Sequence, residues 1–407
     1  MTEVNPDKSF IALLGWSLPA LEAMDRFNRD YVVVAPGWAE EYARDNDIPY
    51  VQWNFERLNE NAIRLYDLLS ERGVEVAVPL YEETVEWAGA VNSRLQNKPR
   101  LFNQSLLFRD KAMMKRRAQI SGLRVGVFEE AWNHDDVRRF LRRVNDALLK
   151  VGGEANDPIH LKPFDRAGCS GHRVIRSDDD VSVIGDDEFP CLLESHLSGQ
   201  EFACEVFIHD GKIRFLNISQ YVHLGHSVFL PPGPRLEGKR ERIRAACEQL
   251  IEAFDIRYGF IHPEWFITPD DVLHFGEVAY RVPGGHAFEL IERAYGFSAY
   301  QGQVLCSDPK ATEEEIREFF PPEDSAEGYA GCLLVYPRVR YIEDVAMPRE
   351  LLDDPYYDRH NLLVPADRKV AERLEFGNHY GYVFFYGEES RLMKERLLRW
   401  EEHEFYV

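Results

Sequence analysis

The sequence predicts an α/β unit followed by an α+β unit. Two observations carry this expectation. Over roughly 1–105, continuously apolar runs alternate with stretches of helical spacing, which is how parallel strands buried on both faces read. Beyond Asp110 the apolar runs alternate with period two and meet at tight turns such as His209-Asp210-Gly211-Lys212, which is how antiparallel strands read.

The elements follow in order. FIALLGW (10–16) is a strand ending at Gly15, and LPALEAMDRF (18–27) a helix. YVVVAPG (31–37) is a second strand, 59–73 a helix stopped by glycine, VEVAVPL (74–80) a third strand and 82–95 another helix. The texture then changes. DKAMMKRRAQISG (110–122) is a basic helix closed by Gly122, and 135–153 is a second helix. Strands are expected at 159–164, 172–177, 189–199, in a hairpin within 201–222, and at 258–267, with a helix at 237–255. After about 310 come an acidic helix and loop (311–325), strand-like runs at 330–345 and 381–387, and a closing helix at 390–405.

The chain has 407 residues, room for two or three domains with ample core. Its net charge of -22 argues against a nucleic-acid groove or an anionic membrane surface as partner. No apolar run approaches the about 18 residues that a membrane helix needs. The opening MTEVNPDKSF shows no secretion pattern, and the six cysteines are scattered without a CxxC pair. The expectation is a reduced, cytoplasmic protein.

Three constellations carry chemistry. Lys162 ends a strand and faces a loop with Gly168, Ser170 and Gly171. Backbone N–H groups in such a loop can cradle phosphate oxygens beside an ammonium, although a solvated hairpin reads the same way. Glu194 and Glu201 flank the turn at Gly199. A strand end there can meet an adenine edge, and the later carboxylate two ribose hydroxyls; alternatively both are solvated acids. Glu264 and Glu277 sit on two apolar runs joined by the turn TPDD (268–271), an expected antiparallel hairpin. Two buried carboxylates this close would repel, and a divalent cation removes that penalty; oxygen ligands suit Mg²⁺. Arg281 follows Glu277 by four residues and can grip a phosphate bidentately, and Pro283-Gly284-Gly285 lets backbone approach a ligand.

The order Lys111, Lys162 with its glycine loop, Glu194/Glu201, Glu264/Glu277/Arg281 resembles the ATP-grasp superfamily of carboxylate–amine ligases. The resemblance covers about 106–310. It implies an ATP-grasp fold with an N-terminal parallel α/β domain (1–105), small and large subdomains (106–191 and 192–310) and a C-terminal region (311–407) packed on the core. It implies ATP and Mg²⁺, with Mn²⁺ as an alternative. Lys111 and Lys162 would contact phosphates under the loop 165–171. Glu194, with the backbone at 195–197 (Ser195 and Leu197 included), would hold adenine, and Glu201 the ribose. Glu264 and Glu277 would ligate the metal, and Arg281 would bind the phosphate of an acyl-phosphate intermediate.

One departure stands out. Many members carry E-x-N-x-R, with the asparagine as a further metal ligand, and here that position is Ala279. The asparagine-free pattern is similar to bacterial L-amino acid ligases, which points to an amino acid carboxylate and an amine as substrates. Loading of a carrier-protein thiol or a peptide end by the same acyl-phosphate chemistry, or a nucleotide-binding regulatory protein without turnover, are the alternatives; a homo-oligomer is compatible with either. The acceptor is expected near Arg281, Gly284, Gly285 and His286, and near the strand ends at 15–17 and 81–84, with His223, His226 and Glu289 as further candidates.

Overall fold

The computed structural model describes residues 8–27, 29–150, 157–166, 168, 170–371 and 379–407. The expected chain start, the end of the helix predicted at 135–153, and Ala167 and Cys169 of the glycine loop fall outside these residues.

The first unit is a four-stranded sheet, β1 (Ile11–Leu14), β2 (Tyr31–Ala35), β3 (Tyr50–Gln52) and β4 (Val76–Pro79), in the order β3-β2-β1-β4 with every pairing parallel. β1 and most of β2 and β4 are buried on both faces, as continuous apolar strands require. Ser17 caps the helix Leu18–Asp25, accepting from Ala20 N. β3 was not expected: at three residues, it is too short to show a period.

A second four-stranded sheet comprises β5 (Phe128–Ala131), β6 (Ile159–Lys162), β7 (Arg173–Ile175) and β8 (Cys191–Ser195), in the order β5-β8-β6-β7 and antiparallel throughout.

The largest sheet has eight strands: β9 (Gln200–His209), β10 (Lys212–His223), β11 (Ser227–Leu230), β12 (Tyr258–Ile267), β13 (Leu273–Ala279), β14 (Tyr329–Leu334), β15 (Tyr357–Leu362) and β16 (Gly381–Gly387), in the order β13-β12-β9-β10-β11-β14-β16-β15. β12 and β13 form the hairpin expected around TPDD. Strands from beyond residue 310 thus extend the sheet that carries Glu201 and Glu264. The run expected at 330–345 stops at Leu334, shortly before Pro337, which cannot donate to a ladder.

The faces of this sheet differ. Phe202, Cys204, Val206 and Ile208 of β9 point to one face and pack under the helix Arg240–Ala253, against Ile243, Cys247 and Leu250. The alternate residues point the other way. At one end of that second face Phe207, Phe215 and Phe260 meet the helices Ala287–Tyr295 and Ala299–Ser307, which also cover the parallel sheet at Leu13, Val33 and Val78. At its other end the face turns acidic and opens into the site. Among the described residues no helix is long and apolar enough to cross a membrane.

Candidate active site

Two cavities of about 460 and 280 Å³ adjoin where the β5–β8 sheet faces the eight-stranded sheet, and both are lined by Lys111, Leu224, Glu264 and Glu277.

The larger cavity has a basic wall. Asp110 caps the helix Lys111–Ile120, accepting from Met113 N at 2.9 Å, so the helix opens at Lys111. Four residues on, on the same face, stands Lys115, which the sequence reading did not single out. Lys162 ends β6. Glu194, near the end of β8, takes both lysines: Lys162 Nζ lies 2.7 Å from its Oε2, and Lys115 Nζ pairs with its Oε1. Lys115 also donates to the Gly276 carbonyl at 2.7 Å, tying this helix to β13. Burial alone would raise the Glu194 pKa, but the two ammonium groups outweigh it and hold the carboxyl well below its usual range. Burial likewise opposes the charge on Lys162, yet Glu194 and Glu277 raise its pKa above the ordinary lysine value. The side chain expected at the adenine edge is thus committed to the lysines.

Beyond β8 the chain lines the same cavity with Ser195, His196 and Leu197. Ser195 exchanges hydrogen bonds with Val127, its N–H donating at 2.8 Å and its Oγ accepting at 3.0 Å, which fixes this connection to the sheet edge. Gly199 has φ of 134°, and a Cβ there would collide with the Ile267 carbonyl, so only glycine fits. Ser170 borders the larger cavity and Gly168 the smaller. Gly171 has φ of 73° and packs on Pro163, and Lys111 Nζ donates to the Arg166 carbonyl, anchoring the loop.

Three histidines that the sequence reading passed over share this wall. His160 Nδ1 meets His172 Nε2 at 2.9 Å, and His160 Nε2 meets His196 Nδ1 at 3.0 Å. Period two on β6 places His160 on the face of Lys162, and that was the available signal. Burial, then His172 and Lys162, pull the His160 pKa down to about 4.

The opposing wall is acidic. Glu201, Glu264 and Glu277 come from β9, β12 and β13. Burial, then Glu277 and Glu201, push the Glu264 pKa up to about 7. Burial also raises Glu201 to about 7; Lys162 opposes it, while Glu277 and Glu194 add to it. Glu277 is the exception: burial works against its charge, but Lys111, 3.9 Å away, and Lys162 hold its pKa low. Crowded, half-buried carboxylates on adjacent strands are a donor set for a hard divalent cation. Among the described residues no three acidic, histidine or cysteine ligands are already gathered on one point.

Arg281 lines the smaller cavity with Gly284 and Gly285. Its Nε donates to Glu82 Oε2 at 2.8 Å and its Nη1 to the Val282 carbonyl at 2.9 Å. Glu82, just after β4 of the parallel unit, also accepts from Arg109 at 2.6 Å. His286 lies apart: its ring packs 4.3 Å from Tyr382 and its Nδ1 lies 3.4 Å from Glu289. His223 pairs with Glu401, and His226 borders the smaller cavity.

No family model matches the chain. An L-arginine-specific L-amino acid ligase of Bacillus subtilis is 25% identical over 233 residues, 53% of this chain and 54% of that protein, so the chain spans about half the length of that curated relative. The structure is similar over 100% of this chain to 99% of an L-amino acid ligase from Bacillus licheniformis, with TM-score 0.78 and 16% identity. It also matches an N5-carboxyaminoimidazole ribonucleotide synthetase from Thermotoga maritima (TM-score 0.68, 17% identity, 98% and 99% covered). A third match is an N5-carboxyaminoimidazole synthetase from Staphylococcus aureus complexed with ADP (0.69, 15%, 97% and 97%). The chain has the ATP-grasp fold and is similar to the carboxylate–amine ligases of that superfamily.

Proposed function

We propose that the chain is an ATP-dependent ligase that activates an amino acid carboxylate as an acyl phosphate and joins it to an amine. The observation that carries this reading is the pair of adjoining cavities, one walled by lysines and the other by Arg281, with Glu264 and Glu277 lining both.

In this reading Lys111 and Lys162 neutralise the phosphates in the larger cavity, Ser195 to Leu197 border the adenine, and Glu201 accepts from the ribose. Glu264 and Glu277 hold Mg²⁺ or Mn²⁺, which when bound neutralises the phosphate oxygens. The carboxylate in the smaller cavity attacks the γ-phosphorus; an O–P bond forms and ADP leaves. Arg281 and Lys162 face the charge that develops on the transferred group. The amine then attacks the acyl carbon, the C–O bond to phosphate breaks, phosphate departs and the amine loses a proton. Apolar and aromatic residues around Arg281, including Phe108, Val228, Ala287 and Leu334, leave space for a modest side chain.

The test is ADP and phosphate release against single and paired amino acids. Release that needs both a carboxylate donor and a second amine, with an amide-bonded product in the mass spectrum, is the expected result. Nucleotide binding without release under any pair would defeat the ligase reading.

A further inference from the structure

Ala279 removes a side chain from the metal wall, and the register of the hairpin shows what stands opposite. His262 on β12 pairs directly with Ala279 on β13. Side chains of directly opposed residues share a face at close range, so a small residue leaves room for its partner. His262, Glu264, Glu277 and Ala279 all line the smaller cavity. His262 Nε2 lies 3.9 Å from Glu264 Oε1, within the about 4 Å that two donors at ordinary metal–ligand distances can span around one ion.

The other nitrogen of the ring is accounted for by a buried carboxylate. Glu205, 0% exposed, lies on β9 beside β12, and its Oε1 approaches His262 Nδ1 to 3.2 Å. Asn217 and Ser219 donate to Glu205 Oε2 at 2.6 and 2.8 Å, and Tyr295 holds Asn217 at 3.1 Å, so the carboxylate is fixed from behind. Among the described residues Glu205 Oε1 and His262 Nδ1 have no other hydrogen-bond partner, and their approach lacks hydrogen-bond geometry as it stands. A small turn of the imidazole completes that bond. A carboxylate that orients one ring nitrogen so that the other can ligate is a recurrent second layer of metal sites.

We infer that His262 Nε2, oriented by Glu205, supplies the cation ligand that an asparagine at 279 would otherwise give. This rests on the reading of Glu264 and Glu277 as metal ligands. Among the described residues no three such donors already meet at one point, so ligation needs a shift of the His262 ring toward the two carboxylates. An imidazole donor suits Mn²⁺ better than Mg²⁺, which prefers oxygen, so the site should favour Mn²⁺.

The experiment is pulsed EPR on the full chain with Mn²⁺ and ADP, using protein labelled with ¹⁵N-histidine. The expected result is a histidine ¹⁵N coupling to Mn²⁺ that disappears in His262→Gln, whose Mn²⁺ dissociation constant rises at least about 10-fold. Glu205→Gln weakens Mn²⁺ about 10-fold while keeping the coupling. Mn²⁺ bound with ADP but without histidine coupling, or coupling that persists in His262→Gln, overturns the inference and leaves the metal reading intact. Absence of any ADP-dependent Mn²⁺ binding, with no loss on Glu264→Gln, overturns both. Should His262→Gln fail to fold, His262→Asn takes its place, and a coupling that persists there overturns the inference.

Discussion

The two walls of the cleft handle buried charge in opposite ways. On the β5–β8 side the central charges are paired: Glu194 lies between Lys115 and Lys162. On the eight-stranded side like charges are stacked, with Glu201 and Glu264 both pushed up to about 7. The internal pairs of the first wall contribute to holding the fold together. On the second wall, burial and crowding outweigh the nearby lysines at Glu201 and Glu264 but not at Glu277.

The contrast can be broken from either side. Glu194→Gln should have the largest effect on stability, since it strands the buried Lys115 ammonium. Losing one partner of a buried pair costs about 3–5 kcal/mol, to be read as a lowered urea midpoint. Glu277→Gln should do the reverse: unligated protein keeps its thermal midpoint or gains, while ADP release falls 10²-fold or more, about 3 kcal/mol of barrier. A midpoint that drops as far as in Glu194→Gln would erase the distinction between the walls. Arg281→Lys keeps the charge but loses the planar fork, and should lower kcat/KM about 10-fold with unchanged stability. The smallest effect sharpens the basic wall. Folded His160 titrates near 4 instead of 6.5, so between those values the unfolded chain holds a proton that the folded one refuses. Stability should therefore fall as pH drops from 6.5 toward 4, and His160→Asn should flatten that slope in thermal scans.

Much of this was legible in the sequence, for identifiable reasons. Apolar runs broken by turn residues show parallel strands clearly, so β1, β2 and β4 were readable. The hairpin bearing Glu264 and Glu277 was readable because TPDD marks its turn. β5 was not, because Phe128-Glu129-Glu130-Ala131 is half acidic and becomes a strand only by pairing with β8. Lys115 was hidden among the basic residues of its helix, where only the four-residue step from Lys111 set it apart. Glu205 was masked by its neighbour Glu201, although period two puts both on one face. The attachment of β14 to β11 joins residues about a hundred apart in sequence, and that of β16 to β14 residues about fifty apart, which no local pattern encodes.

The Glu82 contact has one more implication. Two of the five donors of Arg281 are spent on Glu82 and on the Val282 carbonyl, so the plane of the guanidinium is set before any substrate arrives. A long, flexible side chain that would otherwise have to be ordered on binding enters the encounter already aimed. The parallel unit, through Glu82, thereby acts as the jig that sets this guanidinium.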